Sequence, residues 1–313
     1  MSKNDRTLHK LPEIPYGKKP AVLLVGNGIN LPFDGAKSTQ SIILDEWKSH
    51  KGGDAPAALW KLPFPMQVVA ATNDSVQGCM KNIAEVFKAQ KNTDEQNDLL
   101  SSVIDVGFDA ILSTNYSLEF ERLAIADFSP GKVYARYRTT KAPSSRQLEL
   151  GIFQCTELPI ANNPLLWHIH GTSLRKSSMV MGQLYYGKLL SEVTDRAGAV
   201  NKEYREAQLS MSAFRPKSWI DYFLVGDLYI LGFSMDFFET DIWWLLSYKK
   251  SNFPDSKTVF YSRSTSEEMK LLLNCYNVEC RHDNFMYVPF YKKKCSEIAS
   301  EISAEREPAL THE

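Results

Sequence analysis

The sequence predicts an α/β fold, a doubly wound and mostly parallel sheet with a helical insertion, and three observations carry that expectation. Residues 21–25, 108–112, 165–167 and 228–231 are short, predominantly apolar runs rather than alternating ones, as in strands covered on both faces. Turns and segments of helical period follow them, the strand–turn–helix alternation of a parallel sheet. The 313 residues are 43% hydrophobic, enough for one large core.

Residues 1–19 are polar, mixed in charge and carry Pro12 and Pro15, which reads as an arm outside the core; residues 20–313 read as one domain. The first unit is the strand 21–25, the turn Gly26-Asn27-Gly28-Ile29-Asn30 and a helix capped by Ser38, running to about 49 with Ile42, Ile43 and Trp47 inward. Residues 66–71 read as a second strand, and 72–75 as the cap of a long helical region, 76–106, that breaks near 91–94. The strand 108–112 runs into Ser113-Thr114-Asn115-Tyr116. A helix opens near Ser117, with Leu118, Phe120, Leu123 and Ile125 as its apolar positions. Residues 132–137 and 150–155 read as short edge strands.

The run from Leu165 ends in His168-Ile169-His170-Gly171, and the alternation of side chains in an extended strand puts both rings on one side. The insertion, about 183–210, is expected to lie on the surface with a weak spot at Gly198. Its Tyr185 and Tyr186 either face a site or pack. Residues 218–225 form a short helix. The strand 228–231 ends in Gly232-Phe233-Ser234, and 236–248 is a helix hydrophobic around most of its circumference, Trp243 and Trp244 included. Runs at 257–261, 277–280 and 285–288, a helix ending at 275 and a last helix from 291 complete the alternation.

Parallel sheets bind ligands at the carboxyl ends of their strands, so Gly26, Ser113, His168/His170 and Ser234 mark one crevice. Gly26-x-Gly28 fits a phosphate turn, in which glycines let the backbone approach a pyrophosphate and free N–H groups hold its charge. A tight turn without ligand fits as well, since the third glycine of the dinucleotide fingerprint is missing. Standing alone, Asn115 reads as a helix cap and His170 as a hydrogen-bonded core histidine.

Thirty-six Lys+Arg against 37 Asp+Glu provide no overall basic field for nucleic acid or an anionic membrane. No apolar run reaches the ~18 residues of a membrane-spanning helix. Five cysteines without a C-x-x-C pair, in odd number and behind no secretory leader, imply free thiols in a cytoplasmic protein.

In their joint order, Gly26-Asn27-Gly28-Ile29-Asn30, Ser113-Thr114-Asn115-Tyr116, His168-Ile169-His170-Gly171 and Gly232-Phe233-Ser234-x-Asp236 resemble the nucleotide-binding and catalytic motifs of the sirtuin-like superfamily. The resemblance spans residues 20–248 and is nearest to the sirtuin-like domains of bacterial anti-phage defence systems. It implies a Rossmann-like fold of sirtuin type and an NAD+ glycohydrolase that yields nicotinamide and ADP-ribose, acting as an NAD-depleting effector. By this resemblance the loop of Gly26, Asn27, Gly28 and Asn30 holds the pyrophosphate, Asn115 positions the nicotinamide ribose or a water, and His170 is the base. Ser234 contacts the adenosine half with Asp236 beside it, and Thr114 and Gly232 complete the cofactor contacts. His168 is assigned a supporting, hydrogen-bonding role. The chemistry is coherent, because breaking the N-glycosidic bond develops oxocarbenium character that an amide oxygen and an imidazole stabilise most in the transition state.

Two departures from the family pattern matter. Ser117 stands where an acidic residue often follows the aromatic, and Glu119 comes two later. The paired C-x-x-C motifs of the deacylases' zinc module are missing, so no metal is expected and water replaces the acyl oxygen as nucleophile. The aromatic helix and the insertion imply either a homo-oligomer or a second defence-system protein that controls activity, or simply completion of the core. The alternatives to hydrolysis are an NAD or ADP-ribose sensor without turnover, and a zinc-free deacylase or ADP-ribosyltransferase.

Overall fold

A computed structural model of the chain describes residues 11–33, 38–72, 76–129, 137–138, 154–160 and 162–306. Its strands are β1 (Ala21–Val25), β2 (Ala110–Ser113), β3 (Tyr137–Arg138), β4 (Gln154–Glu157), β5 (Leu165–His168), β6 (Asp227–Leu231), β7 (Thr258–Ser262) and β8 (Glu279–His282). Among the described residues they form one eight-stranded sheet in the order β3-β4-β5-β2-β1-β6-β7-β8. From β5 across to β8 every pairing is parallel, whereas β4 runs antiparallel to β5 and β3 to β4. The fold is Rossmann-like α/β. The chain first builds outward from β1 through β2 to β5, and later returns to the other side of β1 with β6. Strand order therefore reverses at β1, where open parallel sheets form their crevice.

The helices are α1 (Thr39–Lys51), α2 (Phe64–Ala71), α3 (Val76–Ala89), α4 (Asp94–Ile104), α5 (Glu119–Ala124), α6 (Gln183–Leu209), α7 (Trp219–Val225), α8 (Thr240–Asn252), α9 (Glu267–Cys275) and α10 (Tyr287–Arg306). Successive strand residues feed two cores. Val22, Leu24, Leu112 and Trp167 pack towards Val68, Ile83, Val193 and Leu245, while Leu23, Val25, Ile111 and Leu166 pack towards Leu99, Val103, Phe290 and Ile298. Helices thus cover both faces, which is why the strands are apolar throughout. Ser38 caps α1 as expected, its hydroxyl accepting from the Ser41 N–H at 3.1 Å. The helical break expected near 91–94 is the gap between α3 and α4, with Thr93 capping α4.

The structure departs from the sequence reading in several places. Residues 66–71 belong to helix α2. Pro63 and Pro65 preset its first turn, and Phe64, Val68 and Ala71 share its buried side while Met66 and Val69 are exposed. Residues 285–288 form no strand, since α10 begins at Tyr287 and Phe285 and Met286 are exposed. The stretch from 11 to 19 is part of the domain. Leu11 and Ile14 are buried, and Ile14 exchanges backbone hydrogen bonds of 2.9 and 2.8 Å with Phe214. Helix α6 continues through Gly198 and is no surface helix, because Leu189, Val193, Ala197 and Val200 are buried where it packs on α7 and α8. The helix expected from 236 starts at Thr240, which leaves 236–239 as a loop. Residues 1–10, the cap at 73–75, and the segments 132–136 and 150–153 of the expected edge strands lie outside the described residues. No helix among the described residues is long and apolar enough to cross a membrane.

Candidate active site

Register places the site. Val25 lies level with Ser113 and Leu231 across β1, and Ser113 level with His168, so the four central strands end on one row. Beyond that row opens a cavity of about 520 Å³, within the range of small-molecule and cofactor sites. Asn27, Gly28, Thr114, Asn115, His170, Gly232, Ser234 and Asp236 line it, together with residues after β7. Of the residues expected at the site, Gly26 and Asn30 do not line it.

The glycine loop packs against the loop after β6. Gly28 N–H donates to Gly232 O at 2.7 Å, and Gly26 N–H to Leu231 O at 3.1 Å. A Cβ on Gly28 would stand 2.7 Å from Gly232 O. These glycines let the loops after β1 and β6 touch, and the same contact occupies the N–H groups of Gly26 and Gly28.

Asn115 is held by its amide. Its Nδ2 donates to Glu119 Oε1 at 2.7 Å, and because a carboxylate only accepts, this fixes which side of the amide is which. Its Oδ1 is the atom left for a ligand. Asn30 braces the arrangement from behind. It donates to the same Glu119 oxygen at 3.1 Å and accepts from Gln96 at 2.9 Å. Glu119, two positions late by the family pattern, therefore sits where it orients the asparagine.

The two histidines part company at the end of β5. The chain turns after His168, with Gly171 N–H returning to His168 O at 2.9 Å, and Gly171 adopts φ +88°. A Cβ there would stand 2.0 Å from Ser178 O, so the turn requires glycine. His168 donates from Nδ1 to Asn115 O at 2.8 Å and meets Glu121 of α5 through Nε2 at 2.8 Å. His170 instead meets Asp241 of α8 through Nε2 at 2.9 Å, and its Nδ1 lies 3.7 Å from Glu239. The rings do not share a side as an extended strand would give them, because the strand has already ended.

Protein-family models and curated proteins contain no match to this chain.

Three groups were not foreseen as site residues: Glu239, Asp241 and Glu121. Glu239 lines the cavity, and Asp241 is fully buried behind His170. Their signal was the pair Glu239-x-Asp241 entering a helix, where first-turn acids are common for ordinary reasons. Tyr186 of α6 does face the site. Its ring packs edge-on to His170 at 5.6 Å and its hydroxyl donates to Glu239 at 3.4 Å.

The electrostatics follow from this packing. Burial by itself lowers the pKa of His170, but Asp241 and then Glu239 outweigh it and raise the ring to about 9. Glu239 is pushed up to about 7 by burial, against the pull of His170 and with the help of Asp241 and Asp236. His168 likewise stands at about 9, Glu121 outweighing burial. His170, Glu239 and Asp241 each offer an atom within 4.8 Å of the others, a spacing that suits a cation or a shared proton. The bond to Asp241 already occupies one imidazole nitrogen, which favours the proton.

Proposed function

We propose that the chain is an NAD+ glycohydrolase, cleaving the nicotinamide–ribose bond to give nicotinamide and ADP-ribose. The observation that carries this reading is the amide of Asn115, immobilised by Glu119 with its oxygen left for a ligand, on one cavity wall with His170. An amide oxygen held in advance helps a ribose carbon that becomes cationic, and it needs no rearrangement as the charge develops. The leaving nicotinamide is neutral, so no strong acid is required. The cavity lies at the reversal of strand order, the usual place for a nucleotide in such a sheet. The order of the four motifs supports a sirtuin-like assignment, and its defence-system branch supports depletion of NAD as the biological use. The glycine loop enters this reading as the wall formed by Asn27 and Gly28, not as a donor of the Gly26 and Gly28 N–H groups.

The test is to incubate the full chain with NAD+ and follow nicotinamide by chromatography. Wild type is expected to release it, and Asn115→Ala to be slower by roughly 10²-fold or more while still unfolding cooperatively. An inactive wild type, or an Asn115→Ala variant at full rate, overturns the reading.

A further inference from the structure

We propose that Glu239 takes the proton from the attacking water, and that His170 serves as an imidazolium held between Glu239 and Asp241. The proposal rests on the reading of the cavity as a site of NAD+ hydrolysis and reassigns its base.

Geometry comes first. A histidine acts as a base through a free lone pair, and the two carboxylates that flank His170 favour the imidazolium, which has none. Its Nε2 is 2.9 Å from a carboxylate oxygen of Asp241, which only accepts, so that nitrogen carries a proton. Its Nδ1 faces the second carboxylate, Glu239, at 3.7 Å. The ring is 3% exposed and covered on one side by Tyr186. Asp241 is 0% exposed, so it meets neither solvent nor substrate. Glu239 is the carboxylate of the pair that lines the cavity, its side chain 12% exposed.

The charges agree. Glu239 is faced by His170 from the turn after β5, Asp241 from α8, Asp236 from its own loop, the hydroxyl of Tyr186 from α6 and Tyr116 from the loop after β2. Burial, helped by two more carboxylates, raises Glu239 to about 7, and the imidazolium keeps it from rising further. A carboxylate in that range is a competent base near neutral pH, which an ordinary exposed glutamate is not. Tyr186 holds its direction through a hydrogen bond of 3.4 Å.

The step balances without another reactant. Water oxygen bonds to the ribose C1′ as the bond from C1′ to the nicotinamide nitrogen breaks. The bonding pair leaves on nicotinamide, which becomes neutral, and the water proton passes to Glu239 and then to solvent. Asn115 Oδ1 faces the developing positive charge, while His170 stabilises ionised Glu239 until the proton arrives.

The test is a pH–rate profile of nicotinamide release by the full chain and its Glu239→Gln and Glu239→Asp variants. For wild type, kcat is expected to rise through about pH 7 as Glu239 ionises and to fall through about pH 9 as His170 loses its proton. Glu239→Gln is expected to lose roughly 10²-fold or more in kcat with little change in KM and to lack the limb near 7. Glu239→Asp should retain part of the rate and move that limb. Three results overturn the proposal while leaving the hydrolase reading intact: a single rise near pH 9, which makes His170 the base; a Glu239→Gln variant that keeps the limb near 7; or a rate abolished by a chelator and restored by a divalent cation. A wild type that binds NAD+ in a thermal-shift assay yet releases no nicotinamide overturns both.

Discussion

His168 and His170 stand two positions apart in the chain, yet they answer to opposite sides of the sheet. His168 locks the main chain of Asn115 to Glu121, and so serves the site by holding its neighbour. Its pKa of about 9 has a consequence for stability. Below about pH 6.5 the ring is protonated whether the chain is folded or not, and the pairing contributes in full. Above that pH the unfolded ring gives up its proton first, so the contribution, about 3 kcal/mol, is lost as pH rises through about 9. The urea midpoint of wild type is expected to fall more between pH 6 and pH 9.5 than that of His168→Gln; equal falls would remove His168 from this role. That two histidines stand at the end of an apolar run was legible in the sequence. Their separation was not, because it depends on a turn that Ser178 and Gly171 make together.

Helix α6 shows how an element with many charges can still belong to the interior. Arg196, nearly buried, meets Asp221 of α7 through both carboxylate oxygens and reaches Glu203 at 3.1 Å. Asp221 also accepts from the Lys217 N–H and from Ser218. Replacing Arg196 with Met leaves Asp221 buried with its charge uncompensated, and chemical denaturation is expected to show a loss of about 3–5 kcal/mol. An effect below about 1 kcal/mol would mean that solvent reaches Asp221. The next helix is tied by a buried lysine. Lys249 of α8 donates to the carbonyls of Phe223, Leu224 and Gly226 at 3.0, 3.0 and 2.6 Å, closing the open end of α7. The circumference of α8 is used within the chain, since Ile242, Leu245 and Leu246 are buried and Trp243 stacks on Phe237. Its hydrophobic pattern was visible in the sequence, but the partners that absorb it come from α6 and the loop before it.

At the scale of the whole molecule, the loops after β1, β2, β5 and β6 share one cavity because their strands end on one row. A ligand that spans it should tie four segments at once. ADP-ribose, the product of the proposed reaction, is expected to stabilise the fold by about 2.7 kcal/mol at one hundred times its dissociation constant. Hydrogen exchange should slow at 26–30, 113–116, 170–173 and 232–236, with α9 and β8 unchanged. Uniform slowing across the sheet, or none, would place the ligand elsewhere.

The sequence by itself determined the parallel core, because strands covered on both faces must be apolar on both, and that pattern survives without any contact being known. It also determined which polar residues stand at the strand ends, since Asn115, His170 and Ser234 each follow an apolar run. Tertiary structure alone decided what those residues touch. Glu239 and Asp241 reach His170 across roughly seventy positions of chain, and Glu119 meets Asn30 across the gap between β1 and β2. Local pattern reports burial, which acts residue by residue, whereas the charge state of a buried ring is set by whichever carboxylates the fold brings against it.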